Sequence, residues 1–157
     1  MNIMGFLDER AVTTDLKAQQ GKEGVIRELV ELLVRAGSIK DKDVGKLIQI
    51  LMKRESLGST GIGQGVAIPH GKSDCVSRLV AAFGVSRTGV NFDSLDGEPV
   101  TLLFLLVAPE DSAGPHLKAL ARFSRLLKDK HFRDSLRAAK DEKTLVKIIR
   151  EEDEHRH

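Results

Sequence analysis

Tryptophan and tyrosine are missing from this 157-residue chain, and phenylalanine occurs only six times. Faces on which nucleobases could stack are therefore scarce. The formal net charge of +2 is too small to argue for a DNA or membrane partner. A single cysteine, Cys75, excludes an internal disulfide and suits a reducing compartment. Flanked by Asp74 and Val76, with no electropositive setting in the sequence, it reads as an ordinary small residue rather than a nucleophile. The longest apolar run, residues 102–108, is far too short to span a bilayer. The opening MNIMGFLDER lacks the basic region and long apolar run of a signal peptide. The expectation is a cytoplasmic protein with no nucleic-acid partner and no direct membrane insertion.

Cofactor and metal motifs are also missing. Gly61, Gly63 and Gly65 do not complete the dinucleotide fingerprint, and no GxxxxGK[ST] loop is present for ATP. No Cys/His spacing suggests zinc. His155 and His157 at the end of the chain suit an adventitious ion at most. Asp8, Glu9, Asp93 and Asp96 fall in predicted loops, with nothing pairing them as acid and base. No cofactor and no metal are expected.

What is present is a helix–strand–helix order. The length fits one domain, with a core over about 5–150 and a frayed tail at 151–157. Residues 22–36 carry apolar side chains at helical spacing and stop at Gly37. Residues 41–54 repeat the pattern, with Asp41 as the expected cap. Residues 58–71, GSTGIGQGVAIPHG, form a glycine-rich loop that enters a short strand at 66–68 and ends at Pro69. Residues 79–85 read as a strand, and Asp96-Gly97 as a turn. Residues 100–107 show almost no polar alternation, as expected of a central strand buried on both faces. Pro115 opens a helix carrying Leu117, Leu120, Ala121 and Leu127. Two more helices follow, around Phe132–Ala139 by pattern and after a cap near Asp141. Helices flanking a block of strands favour a three-layer α/β domain.

Two histidines and an arginine could carry chemistry. His70 lies between Pro69 and Gly71 at the end of the short strand. A neutral imidazole is a good phosphoryl acceptor near pH 7, and the upstream glycines would let backbone N–H groups approach an anion. A histidine in a Gly/Pro turn is nevertheless often a plain surface residue. His116 follows Gly114-Pro115 in the first turn of a predicted helix, where free N–H groups attract anions; it also fits a surface residue that begins the helix. Arg54 ends the second helix, where a cation is favoured whatever its function, and a guanidinium fork suits a phosphoryl dianion. Lys72 adds positive charge beside His70.

GIGQGVAIPHGK at 61–72, Arg54-Glu55 followed by Leu57, and LLFLLVAPEDSAGPHLKAL at 102–120 together resemble the type-2 IIA proteins of the bacterial phosphotransferase system (PTS). That family includes the fructose, mannitol and nitrogen-regulatory branches. The resemblance covers roughly 5–150. It implies an α/β/α sandwich with a central mixed sheet, and a phosphotransferase component working as a phosphohistidine carrier. His70 matches the phospho-acceptor, modified on the ring nitrogen remote from the backbone. His116 matches the second active-site histidine, and Arg54 the arginine that stabilises the phosphoryl group. An HPr-type phosphocarrier would be the donor. The acceptor would be a IIB protein or a regulated target. With no fused IIB, HPr or membrane domain, and with motif wording nearer the nitrogen and fructose branches, the expectation leans to nitrogen regulation through phosphorylation-dependent partner binding. The alternative is a fructose-like carrier that passes the group to a IIB cysteine for sugar uptake.

Overall fold

A strand that is apolar on both faces needs helices on both sides, because each face must leave water. Strand β6 (Val100–Ala108) meets that condition in the computed structural model, which describes residues 2–18, 21–112 and 114–155. Leu103, Leu105 and Val107 point into one core and Leu102, Phe104 and Leu106 into a second. The first core is closed by α1 (Lys22–Arg35) and α2 (Val44–Ser56) through Val25, Ile26, Leu29, Leu33, Leu47 and Leu51. The second is closed by α3 (Gly114–Leu126), α4 (Lys130–Ala138) and α5 (Glu142–His155). Its centre is a run of rings from sheet to helix. Phe83 stacks on Phe104 at 4.3 Å between centroids, and Phe104 meets Phe123 of α3 at 4.1 Å.

The remaining strands are β1 (Leu7–Thr13), β2 (Gly61–Gly63), β3 (Val66–Ala67), β4 (His70–Lys72) and β5 (Val80–Val90). The sheet order is β1-β5-β6-β3-β2, with β4 also on β6. The β5/β6 and β2/β3 pairs are antiparallel, and β1/β5, β3/β6 and β4/β6 are parallel. The fold is therefore α/β, with a mixed, open sheet between two helical layers. No helix among the described residues is long and apolar enough to cross a membrane.

The turn after α1 forms for the expected reason. Gly37 takes φ +78°, while Ser38 N–H donates to Leu33 O and Gly37 N–H to Val34 O, which together stop the helix. Asp141 caps α5 by accepting from Thr144 N at 2.7 Å.

Several expectations are corrected. Asp41 is not a side-chain cap; a 3-10 turn at Asp41–Asp43 leads into α2 instead. Asp8 and Glu9 lie in strand β1, whose alternation is hidden by a charged stretch, not in a loop. In α3 the buried face is His116, Ala119, Arg122, Phe123 and Leu126, whereas Leu117 and Ala121 are exposed. The inward Arg122 disguises that stripe, because burial of its charge depends on a partner invisible in a local pattern. That partner, Asp153, also corrects the frayed tail: α5 continues through 151–155 and buries Asp153. His157 lies outside the described residues.

Candidate functional site

β3 and β4 run in line along the same side of β6, separated by Ile68 and Pro69. Pro69 has no N–H to give, but its carbonyl accepts from Leu106 N at 3.0 Å, so the line resumes at once. Alternation then assigns the side chains. Val66 and Ile68 face the α3 side, and His70, in register with Leu106, faces it too. Gly71 faces α2, where a Cβ would sit 3.1 Å from Ile50 Cγ2. The glycine thus makes room for α2 rather than for the imidazole. His70 is accordingly the first residue of β4, not the end of the preceding strand.

His116, from the first turn of α3, comes down on the same spot, and the two imidazoles lie 5.3 Å apart in an edge arrangement. His70 Nδ1 is 2.8 Å from Ile68 O. A carbonyl only accepts, so the neutral ring must carry its proton on Nδ1 and keep a lone pair on Nε2. His116 is 7% exposed, and its Nε2 is buried without a hydrogen-bond partner among the described residues. A buried polar atom left unpaired costs about 1–3 kcal/mol, which a bound group that hydrogen-bonds to it would recover.

Both histidines are held below their ordinary pKa. For His70 the main cause is burial, with Arg54's charge adding to it while the Ile68 carbonyl opposes. For His116 burial comes first, followed by the charges of His70 and Lys72. Both rings are thus kept neutral near pH 7 in a positively charged surround. Arg54, in the last turn of α2, is half-buried and donates from Nη1 to Gly58 O at 2.8 Å. Together Arg54, Lys53, Lys72, His70, His116 and Leu57 line an open depression of about 360 Å³. Its anion-seeking character comes from the cations and the histidines.

The glycine-rich turn takes no part. Gly65 O accepts from Thr101 and Leu102 N, four register positions along β6 from the partner of His70, or about 13 Å at strand rise. Gln64 N–H is bound by Asp96 Oδ2 at 2.8 Å, and Gln64 O by Arg137. Gly65 takes φ +80° to turn β2 into β3, so these glycines build a hairpin, not an anion cradle. The sequence reading missed Glu55, whose buried carboxylate holds the segment just after Arg54; only the adjacency Arg54-Glu55 hinted at it. A larger hollow of about 620 Å³ between β1 and α5 contains no histidine.

Comparison with known proteins identifies the family of the chain. A fructose-specific EIIABC component of the phosphotransferase system in Bacillus subtilis is 39% identical over 153 residues, 98% of this chain but 24% of that protein's length. The nitrogen regulatory protein of Bradyrhizobium diazoefficiens is 36% identical over 149 residues, 95% of each chain. The crystal structure of nitrogen regulatory protein IIA-Ntr from Neisseria meningitidis matches with a TM-score of 0.83 at 36% identity, covering 94% of this chain and 98% of that one. The model of the phosphoenolpyruvate-dependent sugar phosphotransferase system EIIA 2 family fits residues 5–152, a span that includes Arg54, His70 and His116, and the chain belongs to that family.

Proposed function

We propose that His70 accepts a phosphoryl group on Nε2 from a phosphorylated HPr-type carrier, and that His116 and Arg54 stabilise it there. The observation that carries this reading is the Nδ1–Ile68 hydrogen bond, which leaves a lone pair on Nε2 in a depression shared with the unpaired Nε2 of His116.

In the step, the donor's P–N bond breaks as a bond from Nε2 forms, with entering and leaving nitrogens in line. The donor ring keeps the electron pair of the broken bond. The His70 ring retains its Nδ1 proton, so it gains positive character that faces the Ile68 carbonyl. His116 Nε2–H donates to one phosphoryl oxygen and Arg54 pairs with others. Little covalent help is required, because positioning and charge supply most of the catalysis. Exposed Leu57, together with Ile50 at the depression, gives a docked protein an apolar surface that excludes water.

The test is reconstitution with phosphoenolpyruvate, Enzyme I and HPr. The wild type should gain one acid-labile phosphate and His70→Gln none; normal labelling of that variant would refute the assignment.

For the next step we infer regulation. The added charge, about −1.5 to −2, would change which protein binds this face. The relatives named as nitrogen regulatory proteins, matched over nearly their whole length, support this branch. The 39% identity to a fructose-specific component supports the alternative, discharge to a IIB cysteine. Mixing the phosphorylated chain with candidate IIB proteins separates the two. Loss of label within seconds to a IIB cysteine favours the carrier; persistent label with altered partner binding favours the regulator.

A further inference from the structure

A carboxylate in the last turn of a helix works against the helix dipole, and burying it adds a desolvation cost. Glu55 does both. It sits in the last turn of α2 at 4% exposure, directly after Arg54. Its carboxylate receives Lys22 Nζ at 2.9 Å from the first turn of α1, Thr60 N at 3.2 Å, and the Thr60 hydroxyl. Lys22 also reaches Asp93 Oδ2 at 3.3 Å, and the Ser59 hydroxyl donates to Phe92 O. The segment 57–60 is thereby stapled on both sides. Within it, Gly58 N–H donates to Glu55 O, and Gly58 O is the acceptor that orients the Arg54 guanidinium at 2.8 Å.

We propose that Glu55 is a positioning residue for Arg54: with Lys22 and Thr60 it fixes the Gly58 carbonyl, and that carbonyl aims the guanidinium across the depression at His70. This rests on the phosphoryl-transfer reading above. A loop free to swing would let Arg54 occupy many rotamers, and a displacement of about 1 Å costs up to about 100-fold in a step that depends on placement. Lys22 neutralises the carboxylate where it is buried, so the bracket holds without leaving a bare charge.

The experiment measures the rate of phosphoryl transfer from phospho-HPr to four proteins: wild type, Glu55→Gln, Arg54→Ala, and Arg54→Ala combined with Glu55→Gln. Glu55→Gln should slow transfer about tenfold when Arg54 is present. In the Arg54→Ala background it should change the rate by less than about twofold, because it acts through the guanidinium. Equal slowing in both backgrounds, or a wild-type rate for Glu55→Gln, overturns the proposal. Should Glu55→Gln not fold, Thr60→Val keeps the volume and removes only the hydroxyl. Carried through the same cycle it should cost about threefold with Arg54 and nothing without it. If the wild-type chain takes no label from active phospho-HPr, the function reading falls and this proposal with it. If the chain labels and the effects multiply, only the role of Glu55 falls.

Discussion

At the scale of single residues, the proposed site holds two imidazoles neutral and leaves Nε2 of His70 with its lone pair. Burial lowers the pKa of both His70 and His116, so each stays uncharged to a more acidic pH than a free histidine. An NMR titration should give midpoints below about 6.5 for both rings, and the Nδ1-protonated tautomer for His70. A midpoint above that value for His70 would contradict the burial argument. The sign for stability follows. Below about pH 6.5 the unfolded chain binds protons that the folded chain refuses. Stability therefore falls as pH drops from there through the folded values, and levels off beneath them. Urea midpoints should decline between pH 7.5 and 5.5, and the decline should shrink in a His70→Gln/His116→Gln double variant. His116→Ala should slow phosphoryl transfer about 10- to 100-fold while leaving the fold intact, since it removes one donor to the developing charge. Transfer and discharge at wild-type rates would remove His116 from the site. These histidines and Arg54 stood out as candidates because each sits beside a break in pattern (a proline–glycine flank, a helix start, a helix end), but the pattern left a plain surface role open for each, and only the family resemblance gave them roles. The glycine turn was misread because glycine content says that backbone can turn, not which N–H groups remain free. Asp96, thirty-odd residues away in the chain, takes the one at Gln64.

At the scale of elements, the site depends on how closely α2 approaches β4. Gly71 allows that approach, with Ile50 Cγ2 3.1 Å and Leu51 Cδ2 3.4 Å from where a Cβ would be. Gly71→Ala should force the Ile50 side chain, and α2 with it, to give by a few tenths of an ångström and cost about 1 kcal/mol. Transfer should slow as well, because Arg54 rides on that helix. Denaturant unfolding and the transfer rate measure the two effects, and a variant with wild-type stability and rate would show that α2 has slack. β6, apolar on both faces, and α1, with one apolar face, were readable from their local patterns alone. Of the short elements, β3 was expected as the strand at 66–68, but β2 and β4 were not: they are three residues each and owe their existence to pairing with β3 and β6, which no local window reveals. β1 carries Asp8, Glu9 and Arg10 at its exposed edge, so its sequence reads as a loop.

At the scale of the whole molecule, the two ends of the chain are bound into the layer that carries His116. Asp153 of α5 is 2% exposed and Arg122 of α3 is 6% exposed. Arg122 Nε and Nη2 donate to Asp153 Oδ1 at 2.9 and 2.7 Å, Nη2 also reaches Asp153 O, and Ile3 N–H donates to Asp153 Oδ2 at 2.8 Å. One carboxylate thus joins the start of the fold, the middle of α3 and the end of α5. Two turns N-terminal to Arg122 on α3, His116 meets His70. Removing one partner of a buried ion pair leaves the other charged and unsatisfied, at a cost of about 3–5 kcal/mol. Asp153→Ala should therefore destabilise the chain by that amount, and so should deletion of residues 151–157, which a frayed tail would tolerate freely. Replacing both partners, Arg122→Leu with Asp153→Leu, should recover much of the loss, because it removes the stranded charge, although the Ile3 N–H loses its acceptor and the Asp153 carbonyl its Arg122 donor. Urea denaturation of the four proteins decides the matter. A deletion variant as stable as the full chain would mean that the ion pair merely rides on a helix already held by Leu145, Val146 and Ile149.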